Sequence, residues 1–204
     1  MSLIHPITQE SFAIIDQEIG DHGLDPATYS ILRRMIHSTA DFEFKELLQV
    51  SEGAITQITK ALATGVPIVT DVRMVTVGIQ TMVSGTFANP LITALDYGEV
   101  AAVGQTRAAA GMRVAWQEWP DALFVIGNAP TALLALCDRL ATSPRVPAGV
   151  IGVPVGFVNV VESKAALAKL SVPQIRVAGR KGGSAVAAAI VNALLDLAWQ
   201  GTPS

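Results

Sequence analysis

Ala122-Leu123-Phe124-Val125-Ile126-Gly127-Asn128-Ala129-Pro130-Thr131 reads as a short buried strand, a glycine-containing turn and the opening of a helix. Its apolar run is continuous rather than alternating, as expected of a parallel strand covered on both faces. Working outward, similar runs recur at 66–72, 91–95, 149–153 and 174–177. Helical patterns lie between most of them. Asp25-Pro26 has the form of an N-cap and first-turn proline, opening a helix that carries His37. Ser51 is placed to cap a helix running to Gly65, and Thr106 one running to Trp119. Asn128 opens a helix through Leu140, another follows Gly156 to Leu170, and a last one runs from about Ser184 to Trp199. Strand and helix alternate over the C-terminal two-thirds, and the N-terminal third is mainly helical. This predicts an α/β fold, a three-layer sandwich with a mostly parallel central sheet and a helical N-terminal segment.

The 204 residues suit one domain spanning 1–204. Half are apolar and mean hydropathy is +0.45, enough for a large core. Charged residues make up 15 %, net charge is −3 and aromatics are 5 %. No basic field or stacking platform points to nucleic acid. Glu10, Asp16 and Glu18 occupy the first twenty residues without a cationic start, which argues against a secretory signal. The longest apolar run, 185–199, contains Asn192 and Asp196 and falls short of the ~20 residues of a membrane span. It reads as a buried helix. Cys137 is the sole cysteine, so neither an intrachain disulfide nor a Cys-rich metal site is available. A soluble cytoplasmic protein is expected.

Ligands of parallel sheets gather at the carboxyl ends of the strands. Four turns mark those ends: 70–73, 127–131, 152–157 and 179–184. Helix N-termini offer unpaired N–H groups and partial positive charge, so these turns are expected to grip a ligand with several anionic arms. None is a nucleotide motif, since both G-x-G-x-x-G and G-x-x-x-x-G-K-[ST] are missing. Ser163 and Lys164 are adjacent and so do not face each other on a helix. The three histidines are too dispersed for a metal site.

His37 is the candidate for chemistry. Arg33 and Arg34 lie four and three residues before it, and such residues are helical neighbours. An imidazole among anion-binding groups suits a proton donor whose readiness depends on its ligand. A lone helical histidine is more often packed or solvated, and Asp41 either orients its ring or caps the next helix. Arg34 and Arg107 are the anion-binding candidates. Most arginines are solvated or in surface ion pairs, but a cation in the first turn of a helix works against the helix dipole. A bound anion would explain the placement of Arg107.

Several segments together resemble the precorrin-8X methylmutase family, including its cobalt-precorrin-8 branch. They are Ser11-Phe12-Ala13-Ile14-Ile15, Arg34-Met35-Ile36-His37, 127–133, 152–158 with Glu162-Ser163-Lys164, 71–75 and 179–184. They occur in order over nearly the whole chain. The resemblance implies an isomerase that moves a methyl group from carbon 11 to carbon 12 on ring C of a corrinoid. No organic cofactor or protein-bound metal would be needed. It implies an α/β homodimer with active sites near the subunit interface and a polycarboxylate corrinoid substrate, while the composition points to no nucleic-acid or membrane partner. The residue matching His37 would donate the proton. Those matching Ser11, Arg34 and Arg107 would contact substrate, with Thr106, Asn128 and Lys164 as further contacts. The 71–74 and 41–44 segments resemble the cobalt-dependent branch more closely, and Gln105 replaces an Asn of the aerobic branch. A non-catalytic corrinoid carrier is the alternative.

Overall fold

In a computed structural model of the chain, residues 5–98 and 104–201 are described. Six strands form one sheet: β1 (Leu48–Val50), β2 (Ile68–Thr70), β3 (Leu91–Thr93), β4 (Leu123–Ile126), β5 (Gly149–Gly152) and β6 (Gln174–Val177), ordered β1-β6-β5-β4-β2-β3. Only the β1–β6 pairing is antiparallel. The carboxyl ends of β2 to β6 therefore share one edge.

Side chains leave a strand alternately to its two faces, and β4 divides accordingly. Leu123 and Val125 enter the core under α1 (Pro6–Ile19), α2 (Pro26–Thr39), α4 (Ala54–Ala63), α5 (Arg73–Gly85) and α9 (Ser184–Gln200). Phe124 and Ile126 enter the core under α6 (Arg107–Glu118), α7 (Pro130–Leu140) and α8 (Val160–Ala168). All four side chains are buried. This is the expected three-layer sandwich with its helical N-terminal segment. Helix α9 is buried around most of its circumference between α2, α4, α5 and the sheet, which is why its sequence is apolar on every side. Among the described residues, no helix is long and apolar enough to cross a membrane.

Two of the expected capping side chains, Asp25 and Thr106, cap their helices, whereas α7 begins at Pro130 behind Ala129, without a side-chain cap from Asn128. Asp25 Oδ1 accepts from the N–H groups of Ala27 and Thr28 at 3.0 and 3.1 Å, and Thr106 Oγ1 accepts from Ala109 N–H at 3.2 Å. Ser51 is a correction. Its Oγ accepts from Gln174 N–H at 2.9 Å, and α4 instead begins at Ala54 after left-handed Gly53. The helix expected from Gly156 starts only at Val160, behind left-handed Asn159. Two further elements depend on tertiary partners. Strand β1 is three residues long, leads directly out of the short helix α3 (Phe44–Leu47), and exists through its pairing with β6. Helix α5 carries Val75, Thr76, Val77 and Gly78, all weak helix formers. It is held by burial of Val75, Ile79 and Val83. A Cβ on Gly78 would come within 2.8 Å of the Ala188 Cβ, so the glycine admits α9 at close range.

Candidate functional site

Five of the seven sequence candidates fall into two groups, and Arg34 and Lys164 have partners inside the fold. Ser11 and His37 line a cavity of about 350 Å³ between α1 and α2, with Ile14, Ile15, Ile36 and Phe42 as apolar walls. His37 is exposed in the last turn of α2. Its ring meets Phe12 edge-on, with centroids 5.4 Å apart and an interplanar angle of 81°. Ser11 Oγ donates to Ile7 C=O at 3.0 Å, which leaves the hydroxyl oxygen's lone pairs for a ligand.

The two arginines beside His37 in sequence each have a partner elsewhere in the fold. Arg33 lies over Phe12, 4.4 Å from its centroid, and pairs with Asp16 at 3.0 Å. Arg34 pairs with Asp196 on α9 at 3.4 Å, and both side chains are largely buried. Burial holds the Arg34 guanidinium below its ordinary pKa, while Asp196 opposes that shift. Arg34, expected to meet substrate, thus has a partner inside the fold.

The second group lies at the carboxyl edge of the sheet. Thr106 and Thr131 share a hydrogen bond of 2.7 Å between their hydroxyls. Arg107 and Asn128 are exposed. Gln105 accepts from Arg113 Nη1 at 3.0 Å. Among the described residues, no hydrogen bond or ion pair joins this group to the Ser11–His37 cavity.

The turn amides are a second correction. Those expected to hold anionic arms are largely engaged within the chain. Asp71, buried at the end of β2, accepts from Gly127 N–H (3.0 Å), Asn128 N–H (2.8 Å) and Ala129 N–H (2.7 Å). Burial raises its pKa and the three amides oppose that shift. Gly156 N–H donates to Arg180 C=O at 3.2 Å, and Gly183 N–H to Val153 C=O at 2.8 Å. Gly182 has φ 144° and a Cβ there would strike the Val153 carbonyl, so this turn requires glycine.

Lys164 is also committed internally. It is buried and donates to the carbonyls of Gly179 and Lys181 at 3.0 and 2.6 Å. Burial brings its pKa down to about 8. The turn it anchors presents Lys181, whose Nζ contacts Asp41 at 2.5 Å and Glu43 at 2.6 Å. These residues lie just beyond the helix bearing His37, across left-handed Ala40. Lys181 therefore ties the end of α2 to the strand-end turn. Sequence reasoning missed this clamp, because its partners are about 140 residues apart. Asp71 was open to detection: an aspartate inside a mainly apolar strand run is a candidate buried charge, and a buried charge requires partners.

The clamp has a defined pH dependence. The Lys181 hydrogen bond is the largest influence holding Asp41 below the usual carboxylate range, and the Asp41 hydrogen bond the largest raising Lys181 above 10.5. The carboxylate's contribution is present above its unfolded pKa of about 4 and lost as pH falls through the depressed folded value. The ammonium's contribution is full below 10.5 and lost as pH rises through the raised folded value. Denaturant midpoints of wild type and Lys181→Met should thus differ by a constant amount between pH 6 and 9, roughly the span between those limits. The gap should close at both extremes. A gap independent of pH would contradict the clamp.

Comparison with known proteins agrees with this architecture. The sequence model of the Precorrin-8X methylmutase family matches residues 6–197. A cobalt-precorrin-8 methylmutase of Synechocystis sp. is 50 % identical over 97 % of this chain and 98 % of that protein. A precorrin-8X methylmutase of Pseudomonas aeruginosa is 39 % identical over 92 % of this chain and 93 % of that protein. The crystal structure of precorrin-8X methyl mutase from Thermus thermophilus superposes with a TM-score of 0.89 at 43 % identity, covering 96 % of each chain. The carrier alternative finds no support among these relatives, which are named as methylmutases. The chain belongs to the precorrin-8X methylmutase family, isomerases of cobalamin biosynthesis.

Proposed function

We propose that this methylmutase acts on cobalt-precorrin-8, moving the ring C methyl group from carbon 11 to carbon 12, with His37 as the proton donor. One observation carries the reading: the His37 imidazole is exposed at a mainly apolar cavity that also has Glu18 in its lining, meets Phe12 edge-on, and has Ser11 in the same cavity. The acid arms of the substrate bring negative charge to the imidazole and favour its cationic form. The imidazolium lends its proton to the macrocycle near ring C and draws electron density from the migrating centre. The bond from the methyl group to carbon 11 breaks as that to carbon 12 forms, and the proton then returns. Ile14, Ile15, Ile36 and Phe42 cover the ring face, and the Ser11 hydroxyl oxygen accepts at its rim.

The cavity's size bears on assembly. At about 350 Å³ it is near the lower limit of the roughly 300–1,000 Å³ typical of small-molecule pockets, so it accommodates one edge of a corrinoid. Thr106, Arg107 and Asn128 lie in a separate group. A homodimer in which one subunit supplies the His37 cavity and its partner the strand-end edge would enclose the remainder. The cytoplasm is the corresponding location. The cobalt branch is preferred because the Synechocystis relative, at 50 % identity, carries that name.

The test is to supply cobalt-precorrin-8 and its cobalt-free counterpart, without added cofactor, and to locate the methyl group in the product by NMR. Migration with the cobalt form is expected, and return of both substrates unchanged overturns the reading. Arg107→Ala should raise KM by about 10-fold, as loss of a charge-assisted hydrogen bond does. Its kcat should stay within a few-fold of wild type. An unchanged KM would remove Arg107 from the substrate surface.

A further inference from the structure

We propose that Asp71 is a positioning residue for substrate binding, its carboxylate filling the amide concavity of the 127–129 turn and so aiming Asn128 and Thr131 outward from the sheet edge. This rests on the reading of that edge as part of the substrate surface. Three consecutive N–H groups converging on one point form a site suited to an anion. Here the anion is supplied by the chain. Oδ1 takes Gly127, while Oδ2 takes both Asn128 and Ala129. The contact links the ends of β2 and β4, which are neighbouring parallel strands.

The substrate is affected in two ways. An acid arm cannot use these amides and meets side chains instead. Asn128 is the exposed member of the turn, and the Thr131 hydroxyl is joined to that of Thr106, next to Arg107. The turn also has little freedom to adjust on its inner side. A Cβ on Gly127 would lie 2.9 Å from atoms of Ala187, Ser184 and Val75, so the backbone there is closely packed. If the carboxylate is lost, the more exposed segment at Asn128 is the part that moves. Asparagine does not replace Asp71, because its NH₂ group would face N–H donors. At least one of the three hydrogen bonds would become a donor–donor contact.

The experiment compares Asp71→Asn, Asn128→Ala and the double variant by titration with the corrinoid product and by steady-state turnover. Each single variant should bind product about tenfold more weakly, with kcat within a few-fold of wild type. The double variant should lose clearly less affinity than the product of the two single losses, since Asp71 acts in part through Asn128. A purely structural role for Asp71 would lower the melting temperature and leave product affinity and KM unchanged, and that result overturns the inference. Unchanged affinity in Asn128→Ala would instead overturn the reading of the edge. If Asp71→Asn does not fold, Asp71→Gly prepared in formate makes the same test. Formate should refill the concavity and restore affinity, with wild type in formate as control. Affinity independent of formate in folded Asp71→Gly overturns the proposal.

Discussion

His37→Ala is expected to reduce turnover by about 10²- to 10⁴-fold, the usual contribution of a general acid, while product affinity stays within a few-fold of wild type. The reason lies in what surrounds the ring. His37 is exposed and meets the protein mainly through the edge-on contact with Phe12. Truncation therefore leaves no buried polar group without a partner, and its effect on stability should be small. The cavity walls survive, so the macrocycle still docks. Single-turnover kinetics with saturating substrate isolate the chemical step. His37→Asn sharpens the test, because an amide can hydrogen-bond the macrocycle but cannot lend a proton at neutral pH. Native turnover in either variant would place the proton donor elsewhere.

Asp196→Ala is expected to have the largest effect on stability, about 3 kcal/mol or more, as when one member of a buried ion pair is removed. Arg34 would remain largely buried without its counter-charge, and burial already disfavours its charged form. Asp196→Leu combined with Arg34→Met should recover most of the loss, because the double variant buries no charge. Chemical denaturation of both single variants and the double variant gives the coupling directly. If Asp196→Ala proves as stable as wild type, the pair does not hold α2 against α9. Arg34 would then be released toward the substrate, its role as first expected.

The fold was legible in the chain for a specific reason. Residues 122–126 and 149–153 are short and continuously apolar, 174–177 places Ile175 and Val177 among Gln174 and Arg176, all three lead into glycine turns, and each formed a strand of one mainly parallel sheet. Asp25 and Thr106 announced their helices because a cap acts on the next two or three residues. Helix α5 was not legible. Its β-branched residues and glycine weaken the helical signal, and what stabilises it is the close approach of α9 at Gly78. Strand β1 was hidden likewise, since three residues carry no periodicity and its pairing partner lies over a hundred positions away.

The sequence alone determined the apolar layers, the caps, the side of the sheet to which the turns lead and, through ordered motifs, the resemblance to a corrinoid isomerase. Each depends on neighbours in the chain or on the period of one element. Only the tertiary structure decided which charges meet: Asp71 with the 127–129 amides, Arg34 with Asp196, Lys164 with two carbonyls, and Lys181 with Asp41 and Glu43. A buried charge is stable only beside its partners. Folding brings those partners from distant parts of the chain, so spacing in sequence could not separate a ligand-binding cation from one already satisfied within the fold.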